Sequence, residues 1–570
     1  MENYHAAHGG ELVNLIVDEE RATALKDLSV GLQSVTLSHS AVCDLELLMN
    51  GGFSPLRGFM NQTDYKSVLD RMRLADGTLW PMPICLDIAE RVAKSFEVGQ
   101  SVALRDNEGF MLAILRIESI WPIDKKLEAE ILFGTQDDRH PGVDQLFHKK
   151  ETFYLGGSIE GLQLPLHSAF KRYRHAPLEL RALFSKLGWR RIVGFHTRNP
   201  LHRAQLEMTL RAMGKAKASL LLHPVAEQAR QGEIDYFTRV HCYLDVARYY
   251  PPNMMLLSLL PLSMRMAGPR EALWHAIVRK NYGCTHFIVG RGHADPGMGK
   301  NGDLWYEPDG AREMTNRYAD EIGIKMVSFD EMVYWEEEDV YVPAGEAHPG
   351  SRTFSLSNDQ FHKKLRTSRR VPAWFTFPEV VDAIQHAYPP RHRQGFTIFC
   401  TGLSGAGKST IAKVLYARFM EMRSRPVTLL DGDIVRMNLS SELGFSKEHR
   451  NINVRRIGFV ASEITKNRGI AICAPIAPYA ATRRQIRELI ESYGGFIEVH
   501  VGTALKVCEE RDRKGLYAKA RAGLVKGVTG IDDPYEAPES PEVFIDTSDM
   551  TPDESAQEVL LYLERAGYTK

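Results

Sequence analysis

Eight consecutive residues carry the plainest chemistry in this chain: Gly402-Leu403-Ser404-Gly405-Ala406-Gly407-Lys408-Ser409. They match the spacing G-x-x-x-x-G-K-[ST]. Glycines there let backbone N–H groups approach phosphate oxygens, a helix starting there adds the positive end of its dipole, and Lys408 supplies a mobile charge. Ser409 suits Mg²⁺ ligation. Gly402, Ser404, Gly405, Ala406, Gly407, Lys408 and Ser409 are therefore the expected ATP-binding residues. Downstream, the strand-like run Val427 to Leu430 ends in Asp431-Gly432-Asp433. Carboxylates at such a strand end sit beside the phosphates, where Asp431 organises Mg²⁺ and Asp433 accepts a hydroxyl proton. D-G-D alone is as readily a turn; the phosphate loop in the same domain favours the catalytic reading. Arg450, Arg455 and Arg456 follow, a residue type suited to tetrahedral dianions, against the plainer reading of a solvated helix face.

These residues need a strand, a tight turn and a helix to position them. Phe396 to Cys400 is a short apolar run, and Ser409 to about Met422 has a helical pattern, together the opening of a P-loop βαβ unit. Before it, Tyr388-Pro389-Pro390-Arg391-His392-Arg393-Gln394-Gly395 reads as a linker. Residues 1–168 alternate short apolar runs with turns such as Ala75-Asp76-Gly77-Thr78 and read as mainly β. From about 170 to 330, strand-like runs (Arg191 to Phe195, Ala218 to His223, Met254 to Leu260, Thr285 to Val289) alternate with helices, a doubly wound pattern. The expected fold is multidomain α/β: a β domain over 1–168, a Rossmann-like domain over 169–330, a small mixed region over 331–390, and a P-loop domain over 395–570.

Bulk properties exclude several classes. The 570 residues are 25% charged and 44% hydrophobic with a net charge of −1, so no global field draws the chain to nucleic acid or membrane. The seven cysteines form no C-x-x-C pair, which argues against a disulfide framework or thiolate zinc site and predicts a cytoplasmic protein. The N-terminus lacks the apolar stretch of a signal peptide, and no run approaches membrane-spanning length. The basic run Lys363-Lys364-Leu365-Arg366 reads as a solvated face.

Three motifs in order, Leu430 to Arg436, Leu443 to Arg456 and Lys514 to Ala520, resemble the adenylylsulfate (APS) kinase family as L-D-G-D-x-x-R, L-G-F-S-x-x-x-R-x-x-N-x-R-R and K-G-L-Y-x-K-A. The resemblance covers nearly all of 395–570. It implies a kinase in which Asp433, Arg436, Phe445, Arg450, Asn453, Ile476 and Lys514 hold APS and Lys519 belongs to a lid. The chain has Ile476-Ala477-Pro478-Tyr479 where the family often has I-S-P-Y, so a phosphoserine is impossible there.

Residues 1 to about 390 resemble ATP sulfurylase through Asn50 to Leu56, Leu74 to Trp80, Leu259 to Glu271, Arg279 to Arg291 and Trp374 to Val380. The resemblance implies a PUA-like N-terminal β domain and transfer of sulfate to the α-phosphorus of ATP. It also implies a nucleotide and sulfate site at His196, Thr197, Arg198, Asn199, Gly290, Arg291, His293, Ala294 and Val327, with Arg198, Asn199 and His202 catalytic. The family's Q-T-R-N-P-x-H-x-x-H reads His196-Thr197-Arg198-Asn199-Pro200-Leu201-His202-Arg203-Ala204-Gln205 here, and loss of a charged transition-state donor costs on the order of 10²–10³ in rate. The H-P-x-x-G-x-T-K-x-x-D loop carries Glu227 and Arg230, and the G-R-D-H-A-G-P-G loop carries Gly292 and Asp295. A carboxylate beside a sulfate dianion opposes its binding.

The leading expectation is an APS kinase, using ATP and Mg²⁺, fused to a sulfurylase-like half that is impaired or silent. The alternative is a two-step enzyme making APS from sulfate and ATP, then phosphorylating it to PAPS. A nucleotide sensor without catalysis is disfavoured by the complete Lys408, Ser409, Asp431 and Asp433 set. The expected partners are small molecules and further copies of the chain, as a dimer or hexamer, with no nucleic acid and no membrane.

Overall fold

A computed structural model describes residues 6–226, 234–297, 299, 304–366, 369–512 and 515–569. The chain forms two compact units. One comprises residues up to Leu356 together with Pro372–Ile384, and the other Ser357–Val371 with Gln385–Lys570.

The first unit opens on a six-stranded sheet in the order Ser34–Thr36, Ser101–Arg105, Met111–Pro122, Phe153–Gly161, Gly58–Phe59, with Leu86–Ile88 also on Phe153–Gly161. Only its Ser34–Thr36 pairing is parallel. The Ala75–Thr78 turn is present: Gly77, at φ +92°, donates to Leu74 O, and Asp76 caps the Thr78 N–H. The region is less β-rich than its turns suggest, because helices Glu19–Ser29, His39–Met49, Gln62–Arg71 and Lys125–Phe133 pack with this sheet. Asp18, Ser38, Asn61 and Asp124 cap their first turns. In His39–Met49 seven consecutive buried residues run from Cys43 through Met49, with Ala41 buried before them, so the helix lacks the one-sided stripe that a sequence reading relies on.

A five-stranded parallel sheet follows, ordered Lys325–Val327, His286–Ile288, Ile192–Phe195, Ser219–Leu222, Met255–Leu257. The direction of winding reverses between Ile192–Phe195 and His286–Ile288, which opens a crevice at their C-terminal ends. Helix Gly268–Asn281 crosses between Met255–Leu257 and His286–Ile288, and almost every residue of it is buried. A three-stranded antiparallel sheet, Val340–Pro343, Met332–Trp335 and Thr353–Phe354, completes this unit.

The second unit is built on another parallel sheet: Val427–Asp431, Ile470–Ala474, Phe396–Thr401, Gly495–Val501, Val543–Ile545. Its three central strands are buried along their whole length, as strands covered on both faces must be. Phe396, Ile398 and Cys400 pack on one side with Ile411, Leu415, Phe419, Val559 and Leu563. Phe399 points to the other, toward Ile457, Ile486, Ile490 and Phe496. The period-two alternation thus anchors helices Lys408–Met422 and Pro552–Arg565 on one face and Lys447–Lys466 and Ala480–Glu491 on the other. No described helix in either unit is long and apolar enough to cross a membrane.

Candidate active sites

In the second unit, the loops that leave Phe396–Thr401, Val427–Asp431 and Ile470–Ala474 meet in a cavity of about 590 Å³. Ser404, Gly405, Gly407, Lys408 and Ser409 line it, as do Asp431, Asp433, Arg436, Phe445, Arg450, Asn453 and Ile476. Gly402 and Ala406 do not. Gly402, at φ +151°, packs so tightly that a Cβ would lie 2.3 Å from Val501 O. Ala406 is buried, and its carbonyl accepts from the Thr503 and Thr547 hydroxyls at 3.2 and 3.0 Å. These two shape the phosphate loop from behind. Gly405 and Gly407, at φ +76° and +105°, take the left-handed conformations that free glycines to turn N–H groups inward.

The cavity's charged groups are held by partners within the protein. Lys408 is buried and donates from Nζ to Leu403 O at 2.6 Å. Asp431 accepts the Asp433 N–H at 3.0 Å and so caps helix Gly432–Leu439, which fixes the aspartate pair at a helix N-terminus. Arg436 donates to Leu443 O and Gly444 O and stacks 4.6 Å over Phe445. Arg450 donates to Thr529 Oγ1 at 2.8 Å and pairs with Asp533 at 2.9 Å, while the Tyr479 hydroxyl donates to the same carboxylate. Buried Asn453 Oδ1 has no hydrogen-bond partner among the described residues. Such an atom is expensive to leave unpaired and suits a ligand donor. Ser409 and Asp431, a hydroxyl and a carboxylate on one cavity, form a donor set that fits Mg²⁺.

The arginine cluster read from the sequence divides. Arg455 is exposed, and Arg456 braces the loop before it through Leu439 O and Glu442; neither lines the cavity. Lys514 lies outside the described residues, and Lys519 is exposed on helix Leu516–Arg521. Ala477 sits at φ +46° with its carbonyl bonded by Arg483 and Thr401. Sequence reasoning missed Arg511, Tyr517, Thr547 and Asp533. Arg511 grips Thr547 through its hydroxyl and carbonyl, and the Tyr517 hydroxyl donates to Ser404 O at 2.8 Å, tethering the phosphate loop. Tyr517 lies inside a quoted motif, so a signal for it existed; the other three stand outside any motif.

In the first unit, the segment after Ile192–Phe195 and the loop after His286–Ile288 converge at the crevice. His196, His275 and His293 approach within 4.8 Å of one another through ring nitrogens. His275 Nδ1 lies 2.9 Å from His293 Nε2, and Arg279 Nη2 lies 3.0 Å from His196 Nδ1. Glu271, His275 and Arg279 stand four residues apart along helix Gly268–Asn281 and so share one face. Burial above all pushes the three histidines down; the neighbouring His275 and Arg279 charges add to it at His196 and His293, whereas Glu271 opposes it at His275. Burial lowers Arg279 to about 10, still charged. His275 and Arg279 escaped the sequence reading because their helix is buried all round and gives no amphipathic signal.

The Arg198 carbonyl accepts from Arg239 and the Asn199 carbonyl from the Tyr243 hydroxyl, while Thr197 Oγ1 bonds both the N–H and the carbonyl of Asn199. His202 is buried at the start of helix Arg203–Ala216 with Nδ1 2.8 Å from Thr376 Oγ1. Gln205 Oε1 accepts the His202 N–H at 3.0 Å, so this departure from the family pattern serves as a helix cap. Gly292 takes φ +63°, which a glycine tolerates better than the family's aspartate. Burial raises the Asp295 carboxyl, against the pull of the Gly297 N–H and Arg198. Gly290 begins the loop; Arg291 is exposed and pairs with Asp309 at 3.4 Å; Ala294 bonds Gly268; Val327 is buried at its strand end. Glu227 and Arg230 lie outside the described residues.

Three family models match in succession: a PUA-like domain over 5–164, ATP-sulfurylase over 171–387 and adenylylsulphate kinase over 394–546. A sulfate adenylyltransferase from Aspergillus oryzae is 46% identical over 99% of both chains. One from Mycosarcoma maydis is 45% identical over 98% of this chain and 99% of its own. Among solved structures, a hexameric APS kinase from Thiobacillus denitrificans is 42% identical, with a TM-score of 0.82 over 99% of this chain and all of its own. The chain belongs to the ATP sulfurylase family, in the form whose sulfurylase domains are followed in sequence by an APS kinase domain.

Proposed function

We propose that the second unit phosphorylates APS with ATP, giving ADP and PAPS. The carrying observation is the single cavity lined by the phosphate loop, Asp433, Arg436, Arg450 and the unpartnered Asn453 oxygen. ATP phosphates settle on the loop N–H groups and draw Lys408 from the Leu403 carbonyl. Ser409 and Asp431 would hold Mg²⁺, which supplies charge neutralisation when bound. Arg436 and Arg450 hold the phosphosulfate, and Phe445 and Ile476 border the nucleoside. Asp433 orients the 3′-hydroxyl and takes its proton as that oxygen attacks the γ-phosphorus in line. Holding the two reactants this way supplies most of the acceleration, because phosphoryl transfer demands positioning and charge stabilisation more than covalent help. Ala477 excludes a phosphoserine route, which direct transfer does not need. The test is incubation of the chain with ATP and APS and chromatography for PAPS; absence of PAPS rejects the reading.

For the first unit we propose sulfate adenylyltransfer, so that one chain carries two consecutive steps. Relatives named sulfate adenylyltransferase match along both units, and this favours working chemistry in both. Arg198, Asn199, His202, Arg291 and His293 retain the family's residues, with Arg198 as sulfate clamp and His202 stabilising the departing pyrophosphate. A second reading, a sulfurylase half that makes little APS and serves as scaffold, oligomerisation or binding module, rests on Asp295, whose carboxylate faces Arg198. Supplying APS and pyrophosphate and measuring ATP separates the two: robust ATP formation rejects the scaffold reading, and its absence rejects the two-step one. The hexameric neighbour supports a homo-oligomer, which mass measurement in solution decides.

A further inference from the structure

We propose that His196, His275 and His293 form a site for a divalent transition-metal ion of the zinc, cobalt or nickel class. This inference depends on neither activity proposed above.

Three imidazoles converge in the interior with ring nitrogens within 4.8 Å of one another. A tetrahedral ion needs nitrogen ligands at about 2.0–2.1 Å, and three histidines with one open position are a recurrent set for it. The ligating atoms follow from the contacts. His275 presents Nδ1 and His293 presents Nε2, the pair now 2.9 Å apart. His196 contributes the Nδ1 that now accepts from Arg279 at 3.0 Å; on displacement Arg279 keeps the His223 carbonyl at 3.2 Å. Ligation through Nδ1 leaves the His275 proton on Nε2. That buried atom faces Glu271 Oε1 at 3.4 Å, a long contact short of a well-formed hydrogen bond. A carboxylate behind a ligating imidazole is the outer-shell arrangement that fixes the ring and raises its basicity. A loaded site therefore gives the Glu271 contact its role.

The charges around the trio do not forbid a cation. Arg279 and Arg198 are the cations that act on the trio, and the Glu271 carboxylate, fully buried behind His275, is the anion that offsets them. His293 keeps the histidine of the family's G-R-D-H-A-G-P-G loop, whereas His196 stands where that family's motif has glutamine. The His196 ligand is thus a property of this chain.

The full-length chain, stripped with chelator and titrated with CoCl₂, gives the test. The expected result is one ion per chain and the intense visible d–d absorption of four-coordinate cobalt, displaced by ZnCl₂. His196→Gln should weaken binding by more than about 100-fold, as loss of one ligand must exceed the roughly 10–100-fold typical of outer-shell losses. His196→Cys keeps a ligand there and should restore tight binding with a new sulfur-to-cobalt charge-transfer band. Cobalt affinity unchanged in His196→Gln overturns the proposal, as does a wild-type spectrum of six-coordinate cobalt only. If His196→Gln misfolds, the cysteine variant decides: tight binding without a sulfur band overturns the site.

Discussion

The two units hold their functional groups in opposite ways. In the second, charged side chains line an open cavity and are each restrained by a partner that a ligand can replace: Lys408 by Leu403 O, Arg450 by Asp533, Arg436 by two carbonyls. In the first, imidazoles are buried and kept neutral, with a charged arginine against them. A site for polyphosphate keeps its cations ready and merely parked, because an incoming anion repays their release. A site built of buried neutral imidazoles responds instead to protons and to metals. The contrast means that one chain should answer mutation, acid and ion content differently in its two halves.

The largest break in that contrast should come from Lys408→Ala. PAPS formation should fall on the order of 10³-fold, with ATP formation from APS and pyrophosphate unchanged, because the lysine belongs to one site alone. Steady-state rates of both reactions check this. Asp433→Asn keeps the shape and removes the base, so kcat for PAPS should drop on the order of 10²–10³ with little change in the KM for ATP.

Acid should act on the first unit before the second. His196, His223, His275 and His293 are held below their ordinary value by burial. The unfolded chain binds protons below its own histidine pKa of about 6.5, which the folded state refuses. Stability is therefore intact above that pH and falls as pH drops through it, by up to about 1.4 kcal/mol per pH unit for each histidine. In the second unit His500 is the described histidine lowered in this way. All seven tryptophans lie in the first unit. Denaturant midpoints by tryptophan fluorescence should thus fall between pH 7 and 5.5, while loss of kinase activity in the same samples shifts less.

Asp533→Ala should be smaller and more selective. It frees Arg450 and Tyr479 from their shared carboxylate, so the KM for APS should rise roughly tenfold with kcat within a few-fold, the signature of lost positioning. The smallest effect is expected for Asp295→Gly. Removing a half-buried carboxylate that opposes Arg198 should raise ATP formation by no more than about tenfold, measured at limiting APS. A much larger gain would favour a sulfurylase half silenced by that residue.

How much of this was legible in the sequence differs between the halves for the same physical reason. The phosphate loop, Asp431-Gly432-Asp433 and the segment through Arg450 and Asn453 act through short stretches, so spacing along the chain carries them. Asp533 and Thr547 join the same cavity network from separate loops, and nothing local marks them. In the first unit the parallel strands emerged from their apolar runs, though shorter than read: Thr285 to Val289 narrows to His286–Ile288 and Met254 to Leu260 to Met255–Leu257. His39–Met49 and Gly268–Asn281 were hidden by their all-round burial, and with the latter went His275 and Arg279. Gln205 read as a lost charge, and only the fold reveals its cap on His202.

Whether the second unit is an APS kinase is decided by conversion of APS and ATP by the full chain in the presence of Mg²⁺. PAPS and ADP should form in equal amounts with the wild type and be lost in Lys408→Ala. ATP consumption without PAPS, or PAPS formation undiminished in Lys408→Ala, would contradict that assignment.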